Sequence, residues 1–260
     1  MAREVVVAGG VRTAIGTFGG SLKDIAPVDM AATVVKEALA RAKVEGKDVA
    51  QVVFGHVVNT EPRDMYLSRV AAVNGGCPKE TQAFNVNRLC GSGLQAIISA
   101  SQGILLGDYD VAIGGGCENM SRAPYANLTN RFGARMGDTK LVDMMVGALH
   151  DPFHTIHMGV TAENVAKEFE ITREQQDALA LESHQRAEKA WAEGRFKDQI
   201  VPIMLKSKKG DVAFEKDEHF RAGAKLEDFQ KMKPVFAKEN GSVTAANASG
   251  INDAAAAVVL

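Results

Sequence analysis

The sequence predicts an α/β fold, in which a mixed, mostly parallel sheet is flanked by helices and carries an inserted helical segment. In the first 119 residues, short Val- and Ile-rich runs alternate with segments of helical periodicity. Such alternation is typical of a parallel sheet covered by helices. Charge density then rises, from 23 charged residues in the first 119 to 39 in the remaining 141. This change indicates that a less buried segment begins near Met120.

The composition excludes several classes of protein. The chain has 260 residues, 46% of them hydrophobic and 24% charged, with a formal net charge of −2. This balance is that of a globular protein rather than a collagen-like or disordered one. Near-zero charge predicts neither nucleic acid nor membrane as a partner. No apolar run is expected to be long enough to span a bilayer, and the N-terminus does not resemble a secretory leader.

Elements are predicted in alternating order along the first 119 residues. Each strand is a short apolar run, and each helix has apolar residues at helical spacing. The predicted strands are Glu4–Ala8, Val52–Phe54, Ala83–Val86 and Val111–Ile113. The predicted helices are Val28–Ala42, Met65–Val73 and Leu94–Leu106, the last of them buried. Three glycines, Gly114 to Gly116, are expected to end the fourth strand.

The second half contains a clear helix start and a hairpin. Thr172 and Gln175 have the spacing of a capping box, which predicts a helix from there to about Glu193, ended by Gly194. Lys206–Val212 is predicted as a hairpin tip, with the turn at Lys208-Lys209-Gly210-Asp211. The cluster Lys206, Lys208 and Lys209 is interpreted as a solvated tip rather than as a phosphate site.

The last residues have the pattern of a buried strand. Asp253–Leu260 is almost wholly apolar, whereas chain ends are usually solvated, so we expect the sequence to be truncated. We predict a sheet domain over residues 1–119, an inserted domain over 120–250, and a strand over 251–260 that returns to the first domain.

Cys90 is the residue that we expect to carry chemistry. It lies in Asn87-Arg88-Leu89-Cys90-Gly91-Ser92-Gly93, between a predicted strand and the helix that follows. The carboxyl end of a strand is where function gathers in parallel sheets. A helix N-terminus favours the thiolate, and the two glycines allow a substrate close to the backbone. The alternative is that Cys90 is a small buried hydrophobe, as free cysteines often are.

Other candidate groups are weaker. Cys77 and Cys117 lack this setting and are interpreted as loop filling and packing. The odd number of cysteines predicts no disulfide framework and a reducing, cytoplasmic compartment. His150, His154 and His157 suggest a metal site, but Pro152 interrupts the segment, and we predict no metal. Gly114–Gly116 lacks the remainder of a dinucleotide-binding pattern.

Several motifs resemble those of thiolases, the acetyl-CoA acetyltransferases and β-ketothiolases. Val86–Ile97 resembles the family's nucleophile signature, and Gly115-Gly116-Cys117-Glu118-Asn119-Met120-Ser121 resembles a second family stretch. His157-Met158-Gly159 is similar to the pantetheine loop, and Asn247-Ala248-Ser249-Gly250 also fits. The matches occur in order along the whole chain. They are most similar to bacterial biosynthetic thiolases, in particular the β-ketothiolases of polyhydroxyalkanoate synthesis.

The resemblance implies a thiolase-like fold and an acyltransferase activity. Cys90 would take an acyl group from an acyl-CoA, and a second acyl-CoA would attack the acyl-cysteine to give a β-ketoacyl-CoA and CoA. Coenzyme A or acetyl-CoA is then a substrate, and no covalently bound cofactor is implied. The domain over 120–250 would be the family's loop domain, which binds CoA. The implied CoA contacts are Leu149, His157, Met158, Arg221, Phe236, Ala245, Ala248, Ser249 and Gly250.

Some family features differ or are absent. Asp228 stands where many members have Ser, and Tyr66-Leu67-Ser68-Arg69 replaces a family Asn-Pro-Ala-Arg. Family members continue into a second, similar domain that holds a Gly-His-Pro motif and a second reactive cysteine. The C-terminal half of the fold is therefore expected to be missing, and the chain alone to be inactive. The alternatives are a CoA-ester-binding fragment without catalysis and a β-ketoacyl synthase relative. A dimer or tetramer is also implied.

Overall fold

The computed structural model describes residues 3–208 and 210–260, so Lys209 of the predicted hairpin turn lies outside the described residues. The strands are β1 Gly9–Thr13, β2 Gly16–Thr17, β3 Gln51–Gly55, β4 Gln82–Val86, β5 Ala112–Asn119, β6 Tyr125–Asn127, β7 Leu141–Asp143, β8 Ile200–Val201, β9 Ile203–Leu205, β10 Val212–Phe214 and β11 Asn252–Val259. The α-helices are α1 Pro27–Ala42, α2 Leu67–Asn74, α3 Ser92–Leu106, α4 Met144–Ala148, α5 Met158–Glu168, α6 Arg173–Ala192 and α7 Leu226–Gln230.

One seven-stranded sheet dominates the structure. Its order is β4-β3-β5-β11-β1-β8, and β2 pairs with β11. Strand β3 runs parallel to β4 and β5, and β1 runs parallel to β8. Only β11 runs against its neighbours β5, β1 and β2. The mixed, mostly parallel sheet predicted from the sequence is therefore confirmed.

Helix α3 touches the sheet backbone directly. A Cβ atom on Gly114 of β5 would lie 2.8 Å from Ile97 Cα, and one on Gly55 of β3 would lie 2.6 Å from the carbonyl carbon of Ser92. Real Cβ contacts are not that short, so this approach requires glycine at both strand positions. Small residues of α3 continue this contact. Ala96 and Ala100, which are four positions apart, lie on the same side of the helix and are buried.

The opposite face of the sheet is covered by α1 and α2. Successive strand residues point to opposite faces, so Cys117 of β5 points away from α3. Its thiol donates a hydrogen bond to the carbonyl of Pro27, the first residue of α1, at 3.2 Å. Helix α2 packs on α1 and on β4. The sheet is thus a middle layer between helices, as the sequence predicts.

The core beneath α3 is small and dry. It contains Val53 of β3, alanine residues of α3 and β5, and the last residue of the chain: the buried members are Val53, Ala96, Ala100, Ile104, Ala112 and Leu260. Burying such side chains stabilises the fold by roughly 25 cal/mol per Å² of apolar surface. The predicted strand at the end of the sequence is confirmed as β11, and Leu260 packs in this core.

Two expectations about α3 need correction. We expected a buried helix, but only one face is buried: Leu94, Ile98, Leu105 and Leu106 are exposed. We also expected no segment long and apolar enough to span a bilayer, yet Leu89–Leu106 has 18 residues with a mean hydropathy of 1.3. Glycine and small polar residues between its leucines and isoleucines concealed this uncharged run. Its small residues pack on the sheet in this structure.

Two predicted strands have different bounds. Glu4–Ala8 is not a strand, because the pairing with β11 begins at Gly9, opposite Val259, and Val6 and Val7 are exposed. The glycines Gly114 to Gly116 do not end the fourth strand; they lie within β5, where β3 and β11 hold them on both sides. A glycine run can occur inside a strand when helices or neighbouring backbone approach closely.

The elements of the second half largely agree with expectation. Thr172 caps α6, with its hydroxyl accepting from the Gln175 N–H and the Gln175 side chain returning the bond. Gly194, which follows the helix, has a positive φ of 69°. Strands β9 and β10 pair antiparallel on either side of the predicted hairpin turn.

The chain forms two compact units. The first contains residues 1–145, 198–218 and 251–260, and the second contains 146–197 and 219–250. The boundary predicted near Met120 thus differs from the edge of the first unit. Residues 198–218 belong to the sheet unit because β8 pairs with β1, and residues 120–145 carry a hairpin of β6 and β7.

Gly114→Ala is expected to destabilise the sheet unit by about 1–3 kcal/mol, because the new Cβ would overlap backbone that cannot move aside. Gly116→Ala in the same strand is the matched control, since its Cβ would meet its nearest neighbours at 3.5 Å, an ordinary contact. Urea unfolding followed by circular dichroism measures both. Equal stability of the two variants would show that α3 and β5 are not in backbone contact.

Candidate active site

Cys90 lies in the turn that connects β4 to α3. The strand ends at Val86 and the helix begins at Ser92, with Gly91 as its N-cap. The Ser92 N–H donates to Leu89 O at 2.9 Å, and the Gln95 N–H donates to Gly91 O at 2.9 Å, the first bond of the helix. The thiol therefore precedes a helix N-terminus at the carboxyl end of a parallel strand, as predicted.

The turn before Cys90 has an unusual backbone. Leu89 has a φ of 46°, a left-handed conformation that is strained for a branched side chain. Two neighbours stabilise it: Asn87 Oδ1 accepts from the Leu89 N–H at 3.0 Å, and Ser92 Oγ donates to Leu89 O at 2.6 Å. Ser92 Oγ also accepts from the Arg88 N–H at 2.9 Å. These bonds hold the backbone on either side of the thiol.

The three cysteines have different environments. Cys90 is exposed, whereas Cys77 and Cys117 are buried. Burial raises the pKa of the Cys77 thiol to about 11. Burial also raises the pKa of Cys117, and the nearby carboxylates of Glu118, Asp64 and Asp253 act in the same direction. The buried thiols stay protonated near neutral pH, so of the three Cys90 is the thiol accessible to a substrate.

A buried polar cluster that the sequence analysis missed lies at the end of β3. His56 Nδ1 is 2.8 Å from the carbonyl oxygen of Cys117 and 3.5 Å from Glu118 Oε1. On the other side of the ring, Nε2 is 3.8 Å from Asp64 Oδ2 and has no hydrogen-bond partner in the structure. One sequence signal could have indicated this cluster: a histidine directly follows a buried strand, and acidic residues lie at the end of a neighbouring strand.

The two carboxylates of this cluster hold the backbone around His56. Glu118 accepts from the Val57 N–H at 2.9 Å and from the Val58 N–H at 3.0 Å. Asp64 Oδ2 accepts from the Thr60 N–H at 2.7 Å and from the Thr60 hydroxyl at 2.8 Å. Burial is the main influence on the pKa of Glu118 and raises it, although His56 and the two N–H groups act against it.

Four predicted CoA contacts come together in the second compact unit. The ring of His157 stacks on Phe236, with centroids 4.7 Å apart and planes at 19°. Met158 begins α5, and its N–H donates to Leu149 O at 2.8 Å. A Cβ on Gly159 would lie 2.1 Å from the Phe236 ring, so the ring packs directly on the backbone of α5. These residues lie together at the start of α5.

His157 also caps α5. Its Nδ1 accepts from the Gly159 N–H at 3.0 Å, so Nδ1 carries no proton. Burial is the larger of two influences that lower the pKa of His157, and the nearby His150 is the other. The edge of the His150 ring meets the His157 ring at a centroid distance of 5.2 Å.

The remaining predicted contacts lie mostly on a loop that carboxylates hold in place. Glu163 of α5 accepts from the Ser242 and Val243 N–H groups at 2.8–2.9 Å. Asp177 of α6 accepts from Asn247 Nδ2 at 2.9 Å. The predicted residues Ala245, Ala248, Ser249 and Gly250 lie on this loop, and Arg221 Nη2 donates to Ala245 O at 3.4 Å. Ser249 and Gly250 are exposed.

The candidate histidines and lysines lie in separate local settings. In residues 3–208 and 210–260, no group of three or more His, Cys, Asp or Glu side chains is arranged to hold a metal ion. His150 Nδ1 is 2.6 Å from Val146 O, and the His154 backbone N–H donates to Asp151 Oδ2. Lys206 and Lys208 flank the turn between β9 and β10.

Comparisons with known proteins agree with this geometry. The family model described as "Thiolase, N-terminal domain" matches residues 5–260. A Cupriavidus necator protein named "Beta-ketothiolase BktB" is 70% identical over 260 residues, which are 100% of this chain and 66% of that protein. The crystal structure of the Bacillus anthracis acetyl-CoA acetyltransferase has a TM-score of 0.95 and 44% identity, with 100% of this chain and 66% of that chain covered.

A structure with a bound ligand is also similar. The crystal structure of human mitochondrial 3-ketoacyl-CoA thiolase in complex with CoA has a TM-score of 0.92 and 41% identity, and the match covers 97% of this chain and 63% of that chain. The chain thus spans about two thirds of the length of the relatives that it matches. The same fold therefore occurs in proteins whose names and titles describe acyl-CoA chemistry.

We expect the stability of the second compact unit to decrease as pH falls from 7 to 5. The native state favours neutral His157, so the unfolded chain binds the additional proton below the ordinary His value of 6.5. His157→Asn should flatten this dependence, because Asn caps a helix without titrating. His154→Asn is the control, since His154 is exposed and caps no helix. Denaturant unfolding at each pH gives the slopes; equal slopes for the wild type and His157→Asn contradict the assignment.

Proposed function

The chain belongs to the thiolase family, and from that premise we propose that the protein is an acyltransferase with thiolase activity. The reaction is the reversible Claisen condensation of two acyl-CoA molecules to a β-ketoacyl-CoA and CoA. The observation that carries the proposal is the position of Cys90. Of the three thiols it alone is exposed, in a strained turn ahead of α3. A thiolate in that setting is a nucleophile for a thioester.

The reaction proceeds in two steps through an acyl-cysteine. In the first, Cys90 Sγ bonds to the carbonyl carbon of an acyl-CoA, the bond from that carbon to the CoA sulfur breaks, and CoA leaves as a thiolate that takes up a proton. In the second, another acyl-CoA loses an α-proton to a base, and its α-carbon bonds to the acyl carbon. The Cys90 thiolate is then released. The base is assigned to none of the residues of this chain.

We propose that the second compact unit holds the CoA moiety of the substrate. The mostly apolar residues at the start of α5, His157, Met158, Phe236 and Leu149, suit the pantetheine chain, since small-molecule sites are mostly apolar with few polar groups. Ser249 supplies a hydroxyl on the loop that Glu163 and Asp177 hold in place. Arg221 supplies a positive charge for the nucleotide end. CoA enters as a substrate, and the proposal includes no resident cofactor.

The setting of the reaction is proposed from composition and similarity. Three cysteines without a disulfide are typical of a reducing compartment, so we place the protein in the cytoplasm. We propose a role in polyhydroxyalkanoate synthesis from the resemblance of the sequence motifs to the β-ketothiolases of that process. A catalytically incomplete chain that binds CoA esters is the alternative, and the acylation experiment separates the two.

Incubation of the chain with acetyl-CoA is expected to add a single acetyl group, on Cys90. The exposed thiol meets the thioester, whereas burial keeps Cys77 and Cys117 protonated and shielded. Intact-mass measurement followed by peptide mapping locates the adduct. Cys90→Ser should abolish the addition, and Cys77→Ser should leave it unchanged. If no adduct forms at saturating acetyl-CoA, the proposal that this chain carries out the first half-reaction is contradicted.

We propose further that the protein forms at least a dimer through the edge of its sheet. Strand β4 is the first in the order and pairs only with β3 among the described residues, and its Phe84 is 46% exposed. An exposed apolar edge strand pairs readily with a second copy. Phe84→Lys is expected to convert the dimer to a monomer in sedimentation experiments, whereas Lys79→Ala, in the loop before β4, should not. A wild-type monomer at micromolar concentration contradicts the proposal.

A further inference from the structure

We propose that Glu118 is a positioning residue for Cys90, acting through Val57 and Asn87. The proposal rests on the function assigned above to Cys90 and adds a residue that sets how the thiol is presented. Glu118 belongs to β5, whereas Cys90 lies in the turn after β4, and β3 lies between these strands in the sheet. The connection between them runs through hydrogen bonds of the segment that follows β3.

The first step of the connection is the carboxylate of Glu118. Its two oxygens accept separately, Oε2 from the Val57 N–H and Oε1 from the Val58 N–H. A carboxylate is the side chain that offers two acceptors to two adjacent backbone donors. An amide would offer one acceptor and turn its NH₂ group toward the other N–H. The position of Val57 therefore depends on an ionised carboxylate at 118.

His56 and Asp64 fix the carboxylate from the side. The His56 ring lies between the two acidic groups, with Nδ1 toward Glu118 and Nε2 toward Asp64. Cys117 contributes its backbone carbonyl to Nδ1 and its buried thiol lies in the same region. The two carboxylates that flank the ring are largely buried, so the cluster has little freedom to rearrange.

The second step leads from Val57 to the turn of the nucleophile. Asn87 Nδ2 donates to Val57 O at 3.4 Å, and Asn87 Oδ1 accepts from the Leu89 N–H at 3.0 Å. One side-chain amide therefore links the backbone held by Glu118 to the residue with positive φ that precedes Cys90. A strained backbone conformation persists where its surroundings over-determine it. Asn87 is the surrounding group that connects to Val57, whose N–H donates to Glu118 of β5.

The segment after β3 also contacts the turn that carries Cys90 through the packing of β3 on α3. Gly55, the residue before His56, lies against the backbone of Ser92 and Gly93. The His56 N–H donates to Val86 O at 3.1 Å, at the last residue of β4. A shift of residues 56–58 would therefore displace both ends of the turn that carries Cys90.

The test is the rate at which iodoacetamide alkylates Cys90, located by peptide mapping, as a function of pH. Glu118→Gln and Asn87→Ala are each expected to slow alkylation about three- to tenfold near pH 7.5 and to alter its pH profile, because either change loosens the backbone beside the thiol. The double variant Glu118→Gln/Asn87→Ala should be no slower than the slower single variant, since both changes interrupt one connection.

Asp217→Asn is the matched control. Asp217 is a largely buried carboxylate of the same compact unit that pairs with Arg12 of β1 and accepts from the Ile15 N–H. In the Asp217→Asn variant, Cys90 should be alkylated at the wild-type rate and with the wild-type pH profile. Slowing equal to that of Glu118→Gln would indicate general loosening of the unit and would overturn the proposal.

Two further results would also overturn it. The first is a wild-type rate of Cys90 alkylation in the Asn87→Ala variant. This result is decisive even if Glu118→Gln does not fold, because Asn87 is exposed and its loss leaves the core intact. The second is a double variant whose alkylation is slowed by the product of the two single-variant factors, since that result indicates that Glu118 and Asn87 act on Cys90 independently. Alkylation requires no acyl-CoA, so this measurement stays interpretable if the acyltransferase proposal fails. Equally, wild-type alkylation of the variants would leave the acyltransferase proposal intact.

Discussion

The contact of α3 with the sheet is the constraint on which the rest of the first compact unit depends. Glycines at positions 55 and 114 allow the helix backbone to lie on the strands, and alanines of α3 fill the space that remains. A helix at that distance cannot slide or rotate without backbone overlap. The position of its first residue is therefore fixed relative to the ends of β3 and β5. The thiol that precedes the helix inherits this fixed position.

The sequence was sufficient for elements whose local signals agree with their tertiary environment. The helix α6 has a capping box at its start and glycine after its end, and both are present in the structure. Cys90 could be singled out because glycines and a strand-to-helix change surround it. Strand β1 was misplaced because Val5–Val7 is apolar, whereas the pairing that selects Gly9–Thr13 comes from residues more than 240 positions away. No local pattern contains that information.

The arrangement of the polar cluster at the end of β3 could not be derived from the sequence for the same reason. His56, Asp64 and Glu118 belong to three separate segments, and no segment by itself shows that the three side chains meet. The sheet brings the ends of β3 and β5 side by side and the loop after β3 folds back over them, which places the three groups together. In the second unit the same principle applies: Glu163 and Asp177 are acidic residues of helices whose role is to hold the loop at 242–250.

The central position of β11 has a consequence for the order in which the protein can fold during synthesis. Strands β1 and β5 are made early, yet neither can complete its hydrogen bonds until residues 252–259 arrive between them. By then the whole of the second unit has already left the ribosome. The backbone N–H and C=O groups at the edges of β1 and β5 that face β11 therefore stay unpaired while residues 146–250 are translated. Such edges are vulnerable to pairing with other chains. Closure of the sheet is a late, long-range event, and this is the stage at which we expect chaperones to act on the nascent chain.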